Sequence, residues 1–194
     1  MADLVPLEMN FCRRCGKPSK PAADYPSRYD CENGHYVYLK PAPTVAIFFV
    51  TPENNVLLSV RGIEPFKGML DGFGGFLDGK ETFEHAAVRE LEEEASLGPE
   101  AYEPLRYLTS STALYPYQGE NLPVLTVSYW TRLKAGYEVT PADDSAGVKS
   151  VPLAEIDLAS ISADDTRAGI QVLQATLLSN EVERDTNVGT NNRS

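Results

Sequence analysis

Two apolar runs, TVAIFFV at 44–50 and NVLLSVR at 55–61, are separated by Thr51-Pro52-Glu53-Asn54. Runs this short, rich in β-branched and aromatic residues and bounded by turn formers, predict two buried strands around a tight turn. Further strands are predicted at 105–114, at 122–133 (LPVLTVSYWTRL, partly alternating) and at 147–151. Between them the period changes. At about 100° per residue, Ala87, Val88, Leu91 and Ala95 fall on one side of a helix whose first turn spans Thr82 to His85. A second amphipathic helix is predicted over ISADDTRAGIQVLQATLLS, with Ser162 as N-cap and acidic residues in its first turn. Residues 11–40 differ in kind: poor in aliphatics and rich in Pro, Cys and Tyr, they could hardly build a core without a staple. The expected plan is therefore a small module at 1–40, a main α/β domain at 41–180, and a polar tail at 181–194 expected to be disordered. There is no internal repeat.

Composition narrows the function. With 194 residues, 42% hydrophobic and 23% charged, the chain reads as a folded soluble protein. Its net charge is −11, without a Lys/Arg cluster that could track a phosphate backbone, so nucleic acid is not an expected partner. An acidic protein that handles an anionic substrate needs a metal between the two. No apolar run approaches the roughly 18 residues of a membrane span, and MADLVPLEMN has neither the basic start nor the apolar stretch of a signal peptide. A cytoplasmic location is expected, with no membrane partner and with a homodimer as one possible arrangement.

The helix that begins at Thr82 to His85 crowds four carboxylates, Glu90, Glu92, Glu93 and Glu94, into five positions. Like charges three and four apart destabilise a helix by roughly 0.2–0.5 kcal/mol per pair. Helical rotation brings Glu90, Glu93 and Glu94 together and turns Glu92 away. A solvated acidic face is the commonest meaning of such a run. The alternative is a site for a hard cation, because the preceding Gly72, Gly74, Gly75 and Gly79 allow backbone oxygens to approach the same face. His85 falls on the outer side of the helix.

The stretch closely resembles the Nudix box, G-x5-E-x7-R-E-U-x-E-E-x-G-U with U aliphatic. Gly75, Glu81, Arg89, Glu90, Leu91, Glu93, Glu94 and Leu97 stand at the matching positions. Ser96 replaces the family's final Gly, and Phe73 stands where a Pro is common. The resemblance implies an α/β/α sandwich with a mixed sheet, in which the box forms loop-helix-loop, and hydrolysis of a nucleoside diphosphate linked to another moiety. Carried onto this chain, it implies that Glu90, Glu93 and Glu94 hold Mg²⁺ or Mn²⁺, with a backbone oxygen at Gly75. Glu81 and Arg89 would form the internal ion pair that fixes the loop on the helix. Loss of the helix-terminating Gly is expected to shift the helix end to Gly98. The family's general base often lies on a later loop, which makes Asp143, Asp144 and Glu120 candidates beside Glu93. A Nudix-fold protein that binds a nucleotide without cleaving it is the alternative. It is disfavoured because every box carboxylate is retained.

Cys12-x2-Cys15 followed by Cys31-x3-His35 supplies three thiolates and an imidazole at the spacing of tetrahedral structural zinc. The segment resembles the zinc ribbon preceding the catalytic domain of NADH pyrophosphatases and related Nudix proteins, with His35 in place of the fourth cysteine. A ribbon that folds without metal is the alternative. Substrate clues are sparse. Arg61 and Lys67 flank the loop entering the box and could contact a phosphate, and Tyr115 and Tyr117 could stack on a base. The Ser-x-x-x-Tyr-x-Tyr-x-Gly stretch around them resembles Nudix proteins grouped with ADP-ribose or nucleotide-sugar pyrophosphatases. ADP-ribose, NADH and nucleotide sugars remain open as substrates.

Overall fold

The computed structural model describes residues 5–6, 9–141 and 145–188, with side chains over 9–141 and 145–179. The chain divides into two compact units. One comprises Met1–Ala42 with Leu114–Val124, and the other Pro43–Ala113 with Leu125–Ser194.

In the larger unit the apolar run of β5 (Ala42–Val50) is buried on both faces, which is why it shows no polar alternation. Val45, Ile47 and Phe49 face one core together with Phe73, Ala87 and Leu91. Ala46, Phe48 and Val50 face a second core with Leu58, Trp130, Ile170 and Leu173. β6 (Asn55–Arg61) folds back antiparallel on β5, with Phe49 opposite Leu57 and Val50 opposite Val56. The turn between them closes through Asn54 N–H to the Thr51 carbonyl at 3.0 Å.

The other strands are β7 (Leu70–Asp71), β8 (Arg106–Tyr117), β9 (Glu120–Arg132) and β10 (Ser145–Pro152). Their order is β9-β5-β6-β10, with β7 beside β6 and β8 beside β9. Gln118 and Gly119 join β8 to β9 with φ of 48° and 87°, the left-handed pair that a two-residue hairpin turn requires. Helix α1 (Phe83–Ala95) supplies the first core and α2 (Asp164–Val188) the second, so the sheet lies between two helices as the resemblance implied.

Two helix ends differ from expectation. Ser162 does not cap α2: its hydroxyl is buried without a partner, and its N–H is taken by the Leu70 carbonyl at 2.9 Å. The helix begins two residues later and continues to Val188, so residues 181–188 of the expected disordered tail are helical. Extending an established helix adds a backbone hydrogen bond per residue without a new nucleation cost. No helix among the described residues is long and apolar enough to cross a membrane.

The smaller unit is a three-stranded antiparallel sheet of β2 (Ser19–Pro21), β3 (Arg28–Cys31) and β4 (Tyr36–Tyr38). Among its described residues the core is Cys12, Tyr29, Cys31 and Val37, flanked by Met9 and Leu39. β1 (Val5–Pro6) pairs in parallel with Glu120–Asn121. The 114–124 segment, assigned to the main domain from sequence, groups with this unit.

Candidate active site and cysteine–histidine cluster

Helix α1 starts where Thr82, extended at φ −89° and ψ 162°, accepts the His85 N–H through its hydroxyl at 3.3 Å. Its end is set by Ser96 itself, at φ 54° and ψ 36°, with its own N–H and that of Leu97 both returning to the Leu91 carbonyl. The expected shift to Gly98 does not occur. Ser96 adopts the left-handed conformation of the glycine it replaces, at a cost of about 1–2 kcal/mol. The register of the box carboxylates is thereby kept.

Ala87, Leu91 and Ala95 are fully buried, which orients the rest of the helix. Glu90 is 7% exposed. Its carboxylate lies against Gly75, where a Cβ would stand 2.8 Å from Glu90 Oε1. Glu94 accepts the Gly74 N–H at 2.9 Å. A Cβ on Gly74 would stand 2.2 Å from the Val45 carbonyl oxygen, so the loop can lie against β5 only as glycine. The Gly75 carbonyl, the expected backbone ligand, accepts the Val45 N–H at 2.9 Å and keeps its second lone pair.

Burial drives the electrostatics of both inward carboxyls. It raises the pKa of Glu90 despite the Arg89 hydrogen bond. It pushes Glu94 up to about 7, against the Gly74 N–H and with help from Glu90 and Asp71. The pair is thus held where neither charge is adequately solvated.

Arg89 organises the outer side. Its Nε and Nη2 donate to the two oxygens of Glu81, each at 3.0 Å. Nη1 donates to Glu90 at 2.8 Å and Glu93 at 2.9 Å, and Nη2 also donates to the Phe76 carbonyl at 3.0 Å. All five guanidinium N–H groups are therefore used. The expected Glu81–Arg89 pair is present, and its hydrogen bonds hold the Glu81 carboxyl below the ordinary carboxylate range. The extra bond to Glu93 differs from expectation. Glu93 is 54% exposed and swings to Arg89, so only Glu90 and Glu94 of the expected trio face inward.

Asp71, which sequence reasoning passed over, accepts from Arg61 Nη1 at 2.9 Å, the Gly72 N–H at 2.9 Å and the Thr166 hydroxyl at 2.8 Å. It stands at the end of β7, near enough to Glu94 to raise its pKa. No spacing rule marks Asp71; a carboxylate entering the Gly-rich loop was the only signal. Arg61, expected to meet substrate phosphate, is engaged with Asp71 and with the Pro65 carbonyl at 2.7 Å. Its charge also acts to lower the Glu94 pKa. Lys67 and His85 are exposed. Tyr115 and Tyr117 fall in the smaller unit, as does the exposed Glu120, while Asp143 and Asp144 lie outside the described residues.

In the smaller unit the Sγ atoms of Cys12, Cys15 and Cys31 and a ring nitrogen of His35 all lie within 4.8 Å of one another. Cys12 Sγ is 3.6 Å from His35 Nδ1, and Cys15 Sγ is 3.5 Å from Cys31 Sγ. Tetrahedral ligands about 2.3 Å from a zinc ion would stand roughly 3.8 Å apart, so the four atoms fit such a centre. Two tight turns deliver them, closed by Gly16 N–H to the Cys12 carbonyl at 2.7 Å and Gly34 N–H to the Cys31 carbonyl at 2.8 Å. The Arg14 N–H, with smaller contributions from the Cys15 N–H and His35, brings the Cys12 thiol down to about 6 and favours the thiolate a metal needs. Asn33 N–H points at Cys31 Sγ at 3.4 Å. This is the one group of three or more converging His, Cys, Asp or Glu ligands among the described residues.

Comparison with known proteins agrees with this geometry. An ADP-ribose pyrophosphatase of Methanocaldococcus jannaschii is 43% identical over 63 residues, a match covering 32% of this chain and 37% of that protein. The crystal structure of a NUDIX hydrolase from Nitrosomonas europaea superposes with a TM-score of 0.61 at 23% identity, covering 88% of this chain and 93% of that one. The NUDIX domain of Shewanella oneidensis NrtR, complexed with ADP ribose, does so with a TM-score of 0.58 at 24% identity, covering 71% and 89%. The family model for the NUDIX domain matches residues 40–170, and with the box residues in their expected places the chain belongs to the Nudix family.

Proposed function

We propose that this protein hydrolyses the pyrophosphate bond of a nucleoside diphosphate derivative in a Mg²⁺- or Mn²⁺-dependent reaction, with ADP-ribose the first substrate to test. The observation that carries the reading is the desolvated Glu90–Glu94 pair against the Gly74–Gly75 turn. The substrate is suggested by the similarity to an ADP-ribose pyrophosphatase and to a Nudix domain complexed with ADP ribose.

Glu90 and Glu94 would hold the cation, with the free lone pair of the Gly75 carbonyl as a third oxygen and Glu93 able to join from the rim. When bound, the cation supplies neutralisation of the phosphate oxygens and activation of a water. Arg89 keeps Glu90 and Glu93 at the loop, and Glu81 keeps Arg89 in place, so their part is positioning. Asp71 orients Arg61, whose charge reaches Glu94 and whose guanidinium suits a phosphate oxygen.

The smaller unit is proposed to hold structural zinc through Cys12, Cys15, Cys31 and His35. All four positions are protein ligands, which leaves no open site for catalysis. A core of four buried residues among those described gives the unit little other means of support.

The test is a hydrolysis panel of ADP-ribose, NADH, NAD⁺, UDP-glucose, diadenosine polyphosphates and triphosphates with Mg²⁺ or Mn²⁺, with products identified. Cleavage of a dinucleotide or sugar diphosphate, lost by orders of magnitude in Glu94→Gln without loss of fold, is expected. Tight nucleotide binding without cleavage of any member would instead make the protein a nucleotide-binding Nudix domain.

A further inference from the structure

A hollow in the catalytic unit lies away from the carboxylate cluster. A cavity of about 440 Å³ opens beside the first two turns of α1, where Glu84 and Val88 lie on a different face of the helix from Glu90 and Glu94. Its size falls within the roughly 300–1,000 Å³ of small-molecule sites. Val88, Pro99, Pro104 and Leu105 make its walls apolar.

Its polar groups are few, and most can only accept. Glu84 Oε1 takes the Tyr129 hydroxyl proton at 3.3 Å, which leaves the Tyr129 oxygen with lone pairs facing outward from that bond. The carboxylate is kept ionised by the N–H of its own residue first, with the Thr82 and Tyr129 hydroxyls adding to it. Glu103 lies on the same lining and is paired 3.3 Å from Arg106. Lys134, the one ammonium there, gives one of its three protons to the Glu100 carbonyl at 2.9 Å. Tyr102 also lines the cavity; it is 4% exposed and its hydroxyl has no hydrogen-bond partner. A buried hydroxyl left unpaired costs about 1–3 kcal/mol unless a partner arrives. The Tyr129 ring, with Tyr107 edge-on at 6.5 Å, adds a π-face suited to a cation.

We propose that this cavity is a second ligand site that takes a small amphipathic cation, an ammonium group on an apolar or aromatic frame. The ammonium donates to Glu84 and the Tyr129 oxygen, and the frame lies against Val88, Pro99, Pro104 and Leu105. Two carboxylates, Glu84 and Glu103, against the single Lys134 ammonium disfavour a phosphate here. The ligand is therefore of a different class from the substrate of the carboxylate cluster, and its site is independent of that function. Because α1 carries both Glu84 and Glu90, an occupant would brace the helix that positions the catalytic carboxylates.

The probe is 2-phenylethylammonium, with 2-phenylethanol as its neutral counterpart, titrated into the full ¹⁵N-labelled chain and followed by amide chemical shifts. Saturable shifts are expected at Glu84, Val88, Tyr102, Leu105 and Tyr129. Affinity should be about tenfold weaker for the alcohol and for Glu84→Gln, the loss expected of one charge-assisted hydrogen bond. Glu94→Gln should bind the amine unchanged, which separates this site from the hydrolytic one. The proposal is overturned by shifts that do not saturate, by equal affinity for amine and alcohol, or by shifts centred on Glu90 and Glu94. If Glu84→Gln does not fold, the comparison of amine with alcohol decides alone.

Discussion

In metal-free protein, the desolvated carboxyl of Glu94 makes the fold less stable as pH rises, and Glu94→Gln removes that loss. Burial lifts this carboxyl from its ordinary 4.5 to about 7. Below 4.5 the folded and unfolded chains both carry the proton, so the group has no influence on the balance. Between 4.5 and 7 the unfolded chain releases its proton while the folded chain keeps it, so stability falls; above 7 the penalty is complete. At about 1.4 kcal/mol per pKa unit, the displacement corresponds to about 3 kcal/mol. Glu90, raised for the same first cause, adds to the fall. Glu81, lowered by Arg89, acts below 4.5 with opposite sign: its contribution is full above that pH and fades as pH drops through its folded pKa. The assay is urea unfolding of chelator-treated wild type and Glu94→Gln at pH values from about 4 to about 8. Gln still accepts the Gly74 N–H, so the variant changes charge and little else. The variant should gain on the wild type by about 3 kcal/mol across the window, and Mg²⁺ should restore the wild type alone at the alkaline end. Parallel pH profiles for the two proteins would refute the reasoning.

Arg89→Ala strands the carboxylates of Glu81 and Glu90, whose side chains are 15% and 9% exposed, and should cost about 3 kcal/mol in calorimetric unfolding, with Arg89→Lys recovering less than half because three donors replace five. Ser96→Gly relieves the left-handed helix end and should stabilise by about 1 kcal/mol, raising Tm by about 2–4 °C without changing turnover. Gly74→Ala drives a methyl into the Val45 carbonyl; the loop must leave β5, and the Mg²⁺-dependent rise in Tm should disappear even if the variant folds. Native mass spectrometry should find a single zinc per chain in freshly purified protein, lost on Cys31→Ala, while metal-dependent hydrolysis by the larger unit persists.

Sequence reasoning located most elements because their signals are local. The strands at 42–50 and 55–61 were legible from apolar runs, and α1 from its period. The Glu81–Arg89 partnership was legible through the resemblance to the family motif, since eight residues is too far for a helical i,i+4 pair. Ser162 misled because a capping residue type was present, yet Leu70 had already claimed its N–H from another strand. Ser96 misled in the opposite direction: tertiary packing of Leu97 and Leu91 holds a left-handed serine that propensity disfavours.

By itself, then, the chain's order of residues determined the alternation of strands and helices, the family motif, the acidic face of α1 and the spacing of Cys12, Cys15, Cys31 and His35 in the small unit, since all depend on period and spacing. Tertiary structure alone decided which acidic side chains lose water. Glu90 and Glu94 turn under the glycine loop, Glu93 leaves for Arg89, and Asp71 arrives from a different strand. Desolvation depends on what packs over a side chain, and the Gly74–Gly75 loop, β5 and Thr166 of α2 come to the site from segments far apart along the chain.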